Sequence, residues 1–474
     1  MKRFIKYMAA GVLALGFASC NQDHVPDWTP TTPAEFDKTE MSIAEGQTVP
    51  SATSELRVTY AKPIVLNQAA SITLNDSPVS ASVKENVLTI SLSLASNTKY
   101  TIKVPGNAVA GIGTETFAPG FTLNFSTEGI ATDYQPLSNP NAMEQARKVY
   151  EYLISVNGTK ILSGAMANVN NNNDFADWLL EITGKYPAIT GYDFIHLPES
   201  TPGGWVDYED TAPAEGQWQN NGLVSYMWHW RVPTSKEAWE SKDTSKYGCR
   251  VPGDGVDEPT DFDIREALRE GTWENQCILA DIDRVAIIFK QLEAKGIPVI
   301  WRPLHEAAGS YQYGAWFWWG RYGSTYTTQL WKLMRDRLEN HHGLKNLIWV
   351  WTAQYEAGHE SEMFASYPGN DFVDFVGTDI YASDDNSQMA AYNALNAMVE
   401  GKRMVTISET GLIQNPEKCI ADGAKWSWFN LWYTYDIFKN PAAETDDFGN
   451  TPESLRAVFN SPYVINRDQM PSLK

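Results

Sequence analysis

The stretch VIWRPLHEAAGSYQYGAWFWWGR, residues 299–321, decides the fold that we expect for this chain. Its apolar start follows Gly296 and Pro298, which end the preceding helical pattern, so it predicts a short buried β-strand. Glu306 falls where that strand gives way to a loop, and a run of aromatic residues follows it. A carboxyl group in an apolar setting is costly unless it is paired or used, so the stretch predicts a strand that ends in a functional site. The alternative interpretation is a core strand whose aromatic loop only packs.

A second stretch, RMVTISETG at residues 403–411, is another apolar, β-branched strand, and it ends in Glu409. A parallel (β/α)8 barrel brings the ends of its strands together at one rim. Two strands that each end in a glutamate would therefore bring two carboxyl groups face to face. One protonated and one ionised carboxyl group are the minimum equipment for glycoside hydrolysis.

Eight candidate strands can be counted in this region, and helical patterns separate several of them. The strands are KILSGAM at 160–166, YPAITGYD at 186–193, LVSYMWHW at 223–230, VIWRPLHE at 299–306, LIWVWTA at 347–353, FVDFVGTDIY at 372–381, MVTISET at 404–410 and KWSWFNLW at 425–432. The clearest helical patterns are residues 277–296 and residues 327–343, with Gly343 as the expected C-cap. The alternation predicts a (β/α)8 TIM barrel.

The motifs WRPLHE, WFWWG and ISETG, in this order, resemble those of glycoside hydrolase family 26, over roughly residues 135–474. The resemblance implies that Glu306 is the general acid/base and Glu409 the nucleophile of a retaining enzyme that works by double displacement. It also implies a substrate, β-1,4-mannan, glucomannan or galactomannan, and hence an endo-β-1,4-mannanase. The segment AAGSYQYGA between Glu306 and Trp316 is longer than in the family pattern, which suggests a longer loop near the site.

Further candidates surround the two glutamates. Arg302 lies on the same side of its strand as Glu306 by the period-two rule, and we expect it to donate to Glu409 and keep that carboxylate ionised. Tyr381, directly after the sixth strand, is expected to hydrogen-bond Glu409, and Asp379 lies on the same face as a weaker candidate.

Five more residues are candidates for contact with the sugar. By resemblance, His229, His305 and Trp316 match sugar-binding residues of the family. Trp351 and Trp428, on the fifth and eighth strands, are candidates for the pocket floor, although large rings in a barrel often only fill it. A histidine or a tryptophan that merely packs is the alternative in each case.

Other functions stay open at this level. An exo-acting mannanase that releases mannobiose would arise if a loop blocked the cleft, and the long segments 196–272 and 307–315 are where such a block would lie. A lichenase or xylanase of the same family is a second alternative. An inactive glycan-binding lipoprotein at the cell surface is a third.

The first 20 residues have the pattern that we expect of a secretory signal. Residues 1–20 combine an early basic cluster, an apolar run and small residues before Cys20, which resembles a bacterial lipoprotein signal. Lipidation of Cys20, followed by a tether at residues 21–33, would anchor the protein in the bacterial cell envelope. We expect the outer membrane, on its periplasmic or its exposed face. A soluble secreted protein with a free N-terminal cysteine is the alternative.

The region between the tether and the barrel has a different pattern. Short alternating strands punctuated by turns at residues 34–128 predict a β-sandwich, which resembles bacterial Ig-like domains. We interpret it as a spacer, with a glycan-binding module as the alternative. Residues 129–142 read as a linker, and residues 143–474 as the (β/α)8 catalytic domain.

Charge and cysteines limit the partners. The formal net charge of -21 disfavours nucleic acid and anionic surfaces, but it does not repel a neutral polysaccharide. Cys249, Cys277 and Cys419 match no zinc spacing, so we expect no metal and no cofactor, and one disulfide among them stays open. We expect a monomer.

Overall fold

The computed structural model describes residues 38–50, 53–92, 94, 99–112, 116–128, 134–253, 259–433 and 445–474. The predicted signal with Cys20, and the predicted tether at residues 21–33, lie outside these described residues. The chain divides into two compact units, residues 1–129 and residues 130–474. Among the described helices, none combines the length and apolar character that crossing a membrane requires.

The described part of the first unit is built of short, mainly antiparallel strands. They are β1 (Lys38–Met41), β2 (Thr48–Val49), β3 (Glu55–Tyr60), β4 (Ile64–Leu66), β5 (Thr73–Leu74), β6 (Ser77–Pro78), β7 (Ala81–Lys84), β8 (Val87–Ser91), β9 (Lys99–Val104), β10 (Val109–Gly111) and β11 (Phe121–Thr127). One sheet has the order β1-β3-β8-β7, another β2-β11-β9-β5-β6, and β10 pairs with β4. Alternate residues of β3 and β9 enter one apolar core shared by the two larger sheets, which is consistent with the predicted sandwich.

The second unit contains a parallel sheet that curls into a barrel. Its strands, with the smaller pairs around it, are β12 (Ile161–Leu162), β13 (Gly164–Met166), β14 (Ile189–Asp193), β15 (Leu223–Met227), β16 (Val232–Pro233), β17 (Tyr247–Gly248), β18 (Val299–Arg302), β19 (Leu347–Ala353), β20 (Phe375–Ile380), β21 (Met404–Thr410) and β22 (Val464–Ile465). The barrel order is β13-β14-β15-β18-β19-β20-β21, and every neighbouring pair is parallel. These seven strands confirm the first seven predicted ones.

The eighth strand closes the barrel through residues 426–431. Parallel bridges join Trp426 to Val405 in β21 and Leu431 to both Thr410 in β21 and Ala165 in β13. Backbone hydrogen bonds run to both sides, from the Ile407 N–H to the Trp428 carbonyl at 3.0 Å and from the Leu431 N–H to the Gly164 carbonyl at 2.9 Å. The predicted eighth strand therefore takes its place between the seventh and the first.

Helices surround the barrel. They are α1 (Glu144–Val156), α2 (Asp174–Thr183), α3 (Ala212–Gln219), α4 (Lys236–Ser241), α5 (Ile264–Ala267), α6 (Trp273–Ala294), α7 (Ser324–Arg335), α8 (Glu360–Met363), α9 (Met389–Met398), α10 (Pro416–Asp422) and α11 (Pro452–Phe459). The helix predicted at 277–296 is α6, which starts earlier because the Thr272 side chain caps it. The helix predicted at 327–343 is α7 continued by a π-helix, Asp336–His341, with Gly343 at a φ of 71° just beyond it.

Residues 134–142, which the sequence pattern assigns to a linker, pack onto the lower end of the barrel. The Ser138 N–H donates to Asp374 at 2.6 Å, and Arg403 donates to the Pro136 carbonyl at 2.6 Å. Leu137 is buried there. The likeness of this segment to a linker came from its polar and Pro-containing composition, whereas its backbone groups are bonded to the barrel.

The open question of a disulfide has an answer among the described cysteines. Cys249, Cys277 and Cys419 are all buried, and no disulfide joins them. Burial raises the pKa of the Cys419 thiol to about 12, so this thiol stays protonated at neutral pH.

Candidate active site

The two predicted carboxyl groups meet at the carboxyl-terminal rim of the barrel. Glu409 lies inside β21, next to its end, and Glu306 lies in the loop that follows β18. Both residues are buried, at 4% and 8% exposure. One carboxylate oxygen of each lies within 4.8 Å of the other, and an oxygen of Asp379 lies within the same distance. The barrel rim thus holds three carboxyl groups in one small space.

Glu409 is held by two residues that donate hydrogen bonds to it. Both terminal nitrogens of Arg302 donate to its Oε1, one of them at 2.9 Å, and the Tyr381 hydroxyl donates to its Oε2 at 2.8 Å. The predicted contacts of Arg302 and Tyr381 with Glu409 are therefore present. Burial raises the pKa of Glu409, and the positive charge of Arg302 opposes that rise. Arg302 thus favours the ionised form, as expected, against a desolvation cost that the sequence pattern did not reveal.

Asp379 is the third carboxyl group and the least exposed. It contacts Arg302 at 3.3 Å, and its side chain is 0% exposed. Burial and the neighbouring acids Glu409 and Glu306 raise the pKa of Asp379 well above its ordinary value, and Arg302 opposes them only in part. This raised pKa favours the protonated form of Asp379.

Glu306 has different partners from Glu409. The indole N–H of Trp316 donates to its Oε2 at 3.0 Å, and the Gln354 amide donates to its Oε1. Leu304 and Glu306 adopt left-handed backbone conformations, with φ of 53° and 52°. Such conformations are unfavourable for residues with side chains and persist where the surrounding structure imposes them. The backbone N–H of Glu306 stays bonded to the Thr352 carbonyl at 3.1 Å, which fixes the turn that aims the carboxyl group into the rim.

A chain of polar side chains runs beside the two glutamates. Asp193, the last residue of β14, accepts from the His229 ring at 2.6 Å and from the His229 backbone N–H at 2.9 Å. The Nε2 atom of His229 lies 3.3 Å from the Nε2 atom of His305. Both histidines are therefore in the site, in contact with each other.

The charges around the two histidines favour one arrangement of their protons. Burial lowers the pKa of His229, but Asp193 outweighs that effect and the pKa is raised overall. Burial and the charge of Arg302 lower the pKa of His305 well below its ordinary value. These shifts favour a charged His229 that donates to the Nε2 of a neutral His305, an arrangement in which the proton of His305 is on Nδ1. That Nδ1 atom has no hydrogen-bond partner among the described residues.

Two predicted tryptophans are not in the cleft. Trp351 packs edge-on against Phe364 and Tyr367, on the outer side of β19, so the proposed role in the pocket floor was wrong. Trp428 does point into the barrel, where it lines a small cavity together with Arg302 and packs against Phe375. Its ring fills the barrel below the carboxyl groups.

The aromatic residues that follow Glu306 in the sequence also divide between the site and the core. Trp316 reaches Glu306, whereas Trp318 and Trp319, from the same aromatic run, are fully buried. Gln354, which also donates to Glu306, was not among the residues predicted from the sequence. Gln354 directly follows β19, and the rule that parallel strands present their carboxyl ends to the site was the signal that would have found it.

Comparisons with known proteins agree with this geometry. A model of glycosyl hydrolase family 26 matches residues 138–469. Mannan endo-1,4-beta-mannosidase B of Piromyces sp is 35% identical over 346 residues, which cover 71% of this chain but only 54% of that protein. This chain thus spans about half the length of that relative.

Two solved structures are also similar. The family 26 domain of an endo-beta-mannanase/endo-beta-glucanase from Prevotella bryantii is 35% identical, with a TM-score of 0.62, over 70% of this chain and 98% of that one. A beta-mannanase from a symbiotic protist of the termite Reticulitermes speratus, complexed with gluco-manno-oligosaccharide, is 32% identical, with a TM-score of 0.60, over 72% of this chain and 99% of that one.

Proposed function

The chain belongs to glycosyl hydrolase family 26, and from that premise we propose that it is a retaining endo-β-1,4-mannanase. The observation that carries the proposal is the pair Glu306 and Glu409, whose carboxylate oxygens approach within 4.8 Å at the barrel rim. A retaining mechanism needs carboxyl groups about 5–5.5 Å apart, whereas an inverting one needs room for a water between them. The mannanase names of the relatives supply the substrate class.

Glu409 is proposed as the nucleophile. Arg302 and Tyr381 donate to both of its oxygens, so the ionised form is oriented and its charge is balanced. In the first step an oxygen of Glu409 bonds to the anomeric carbon, and the bond from that carbon to the leaving oxygen breaks.

Glu306 is proposed as the acid and base. It gives its proton to the leaving oxygen in the first step, and in the second step it takes a proton from the water that displaces Glu409. Trp316 and Gln354 donate to its two oxygens, which keeps the carboxyl group aimed at the scissile bond. The unpartnered Nδ1–H of His305 is a donor that a sugar hydroxyl would satisfy.

A panel of polysaccharides tests the substrate class. We expect the purified chain to release reducing ends from mannan, glucomannan and galactomannan faster than from xylan or mixed-linkage glucan. An endo-acting enzyme gives oligosaccharides of many sizes early in the reaction, whereas release of mannobiose alone from the start would establish an exo-acting mannanase. Activity confined to xylan or mixed-linkage glucan would overturn the proposed substrate.

Two substitutions test the catalytic assignment. Glu306→Ala should lower turnover least on substrates with a good leaving group, because these need little protonation. Glu409→Ala should abolish turnover on every substrate while leaving binding intact. Trp28 is the one tryptophan of the 18 that lies outside residues 130–474, so tryptophan fluorescence reports mainly on the second unit and serves as the folding control. Equal losses with all leaving groups for Glu306→Ala would argue against the acid role.

For the N-terminus we propose lipidation at Cys20, supported by the basic, apolar and small-residue order of residues 1–20. A lipid anchor would hold the enzyme at the cell envelope, with the protein monomeric. Mass spectrometry of the purified N-terminus should find acyl chains on Cys20, and Cys20→Ala should move the protein into the soluble fraction. An unmodified N-terminus in the membrane-free fraction would contradict the anchor.

A further inference from the structure

The segment that separates Glu306 from Trp316 is a built hairpin; we call residues 307–315 the acid/base hairpin. Ser310 and Gly314 pair in antiparallel fashion, with N–H donations at 3.2 Å and 2.8 Å, and the Ser310 hydroxyl accepts from the Tyr313 N–H at 3.0 Å. Gly309 is at a φ of 66°, and a Cβ there would lie 2.0 Å from the Gly314 carbonyl oxygen. The glycine is therefore required by the turn.

The tip of the hairpin is anchored to the next loop of the rim. The Tyr311 N–H donates to a Glu356 carboxylate oxygen at 2.9 Å, and the Tyr311 ring stacks on His359 with 3.4 Å between centroids and 18° between planes. That loop also carries Gln354, which donates to Glu306. The hairpin, its anchor and the acid/base carboxyl group thus form one connected structure.

Tyr313, two residues further on, projects from this anchored tip. Tyr313 is 82% exposed, and Tyr311 is 54% exposed. An isolated exposed ring is ordinary on a protein surface, so exposure alone decides nothing. The position of Tyr313 is more informative, because the two residues that flank the hairpin, Glu306 and Trp316, are hydrogen-bonded to each other. A chain extends by at most about 3.3–3.6 Å per residue, so the Tyr313 backbone lies within about 25 Å of Glu306.

The chemistry of the proposed reaction decides which part of the substrate lies on this side. The general acid protonates the oxygen of the leaving group, so the leaving sugars lie beside Glu306, while the nucleophile Glu409 lies under the other side of the bond. We propose, resting on the function proposed above, that the acid/base hairpin extends the subsites for the leaving sugars and that Tyr313 is their stacking platform. The apolar C–H face of a sugar ring suits the flat face of an exposed tyrosine. Tyr313 is thus a specificity-determining residue for the length of the leaving chain.

The test compares two substrates. An activated aryl β-mannobioside places sugars only on the nucleophile's side of the cleaved bond, whereas mannohexaose extends to the other side. With Tyr313→Ala, kcat/KM for mannohexaose should fall about 3- to 10-fold, and kcat/KM for the aryl substrate should stay within about twofold. Tyr313→Phe keeps the ring and should match the wild type on both. Ile287→Ala, at an exposed position of α6, is the surface control.

Several results would overturn the platform. These are an unchanged mannohexaose rate in Tyr313→Ala, an equal loss on both substrates, or a loss in Tyr313→Phe as large as in Tyr313→Ala. A wild-type chain that hydrolyses neither substrate overturns the proposed function instead. In that case, calorimetry of mannohexaose binding to Glu409→Ala, with and without Tyr313→Ala, still tests the role of the hairpin. Weaker binding in the double variant supports the stacking platform, and unchanged binding overturns it.

Discussion

Arg302 places one guanidinium among three buried carboxyl groups, those of Glu306, Asp379 and Glu409. A buried ion pair adds little net stability compared with apolar residues, but removal of one partner leaves charges without compensation. The charge of Arg302 is thus what allows an ionised nucleophile inside a desolvated rim. The raised pKa of Asp379 favours its protonated form, which reduces the negative charge that Arg302 has to balance.

Removal of that charge should damage both stability and catalysis. We expect Arg302→Met to lower the free energy of unfolding of the barrel by about 3–5 kcal/mol, measured by denaturant titration with tryptophan fluorescence. The same change should lower kcat at least about 100-fold, because an unopposed rise in pKa protonates Glu409. Lys418→Met breaks a half-exposed pair with Asp385 and should leave both quantities close to wild type. An Arg302→Met enzyme with wild-type kcat would contradict the role of the guanidinium.

The pair of Asp193 and His229 should make stability depend on pH. The folded pKa of His229 is raised above its ordinary 6.5, so its contribution is complete below pH 6.5 and is lost as pH rises through the folded pKa. The folded pKa of Asp193 is lowered below 3.8, because His229 outweighs the opposing effect of burial. Its contribution is present above pH 3.8 and is lost as pH falls through the folded pKa. The pair therefore stabilises most between about pH 4 and 6.5.

The variant Asp193→Asn tests this pH dependence of stability. The Tm of the variant should lie furthest below the wild-type Tm near pH 5, and the difference should shrink as pH rises towards 9. Thermal unfolding followed at pH steps from 4 to 9 gives the comparison. A difference that stays constant, or that grows with pH, would show that the two residues are not an ion pair in the folded protein.

At the scale of elements, the sequence predicted the strands well for a physical reason. Strands of a parallel barrel are buried on both faces, so they read as continuous apolar runs bounded by Gly and Pro. The same burial hides which way each side chain points: all seven positions of β19 are buried, so no alternation shows that Trp351 faces outward. The left-handed backbone at Leu304 and Glu306, and the π-helix after α7, also leave no periodic signal.

The site was predictable where it follows from topology and not where it follows from local contacts. Glu306, Glu409 and Arg302 lie at or near the ends of parallel strands, which must meet at one rim. The same rule places Gln354 at the rim, directly after β19, but its contact with Glu306 depends on the turn of its loop. The proton on Asp379 depends on the burial of a whole group of charges, which only the folded structure supplies.

Gly320 packs against Ala307, the first residue of the acid/base hairpin, and a substitution there tests whether this contact positions Glu306. A Cβ at this position would lie 1.7 Å from the Ala307 carbonyl oxygen, directly after Glu306. We expect Gly320→Ala to displace the backbone at Glu306 and to lower kcat at least about 10-fold, because small shifts of a catalytic group are costly. Gly216→Ala is the matched control, since a Cβ there meets open space within α3 and should be neutral or stabilise by up to about 1 kcal/mol. Wild-type kcat in Gly320→Ala would show that the backbone near Ala307 accommodates the added methyl group without displacing Glu306.

At the scale of the whole molecule, the described strands of the barrel and every residue assigned to the site lie in the unit at residues 130–474. A chain that starts at residue 130 should therefore hydrolyse soluble manno-oligosaccharides within about twofold of the full chain. A chain that starts at residue 143 lacks the segment 134–142, whose loss removes partners from Asp374 and Arg403, both almost fully buried. A buried polar group left without its partner costs about 1–3 kcal/mol, so the shorter chain should be at least about 2 kcal/mol less stable by denaturant titration. Equal stability of the two truncated chains would show that residues 134–142 act only as a linker. An inactive chain from residue 130 would show that the first unit contributes to the site.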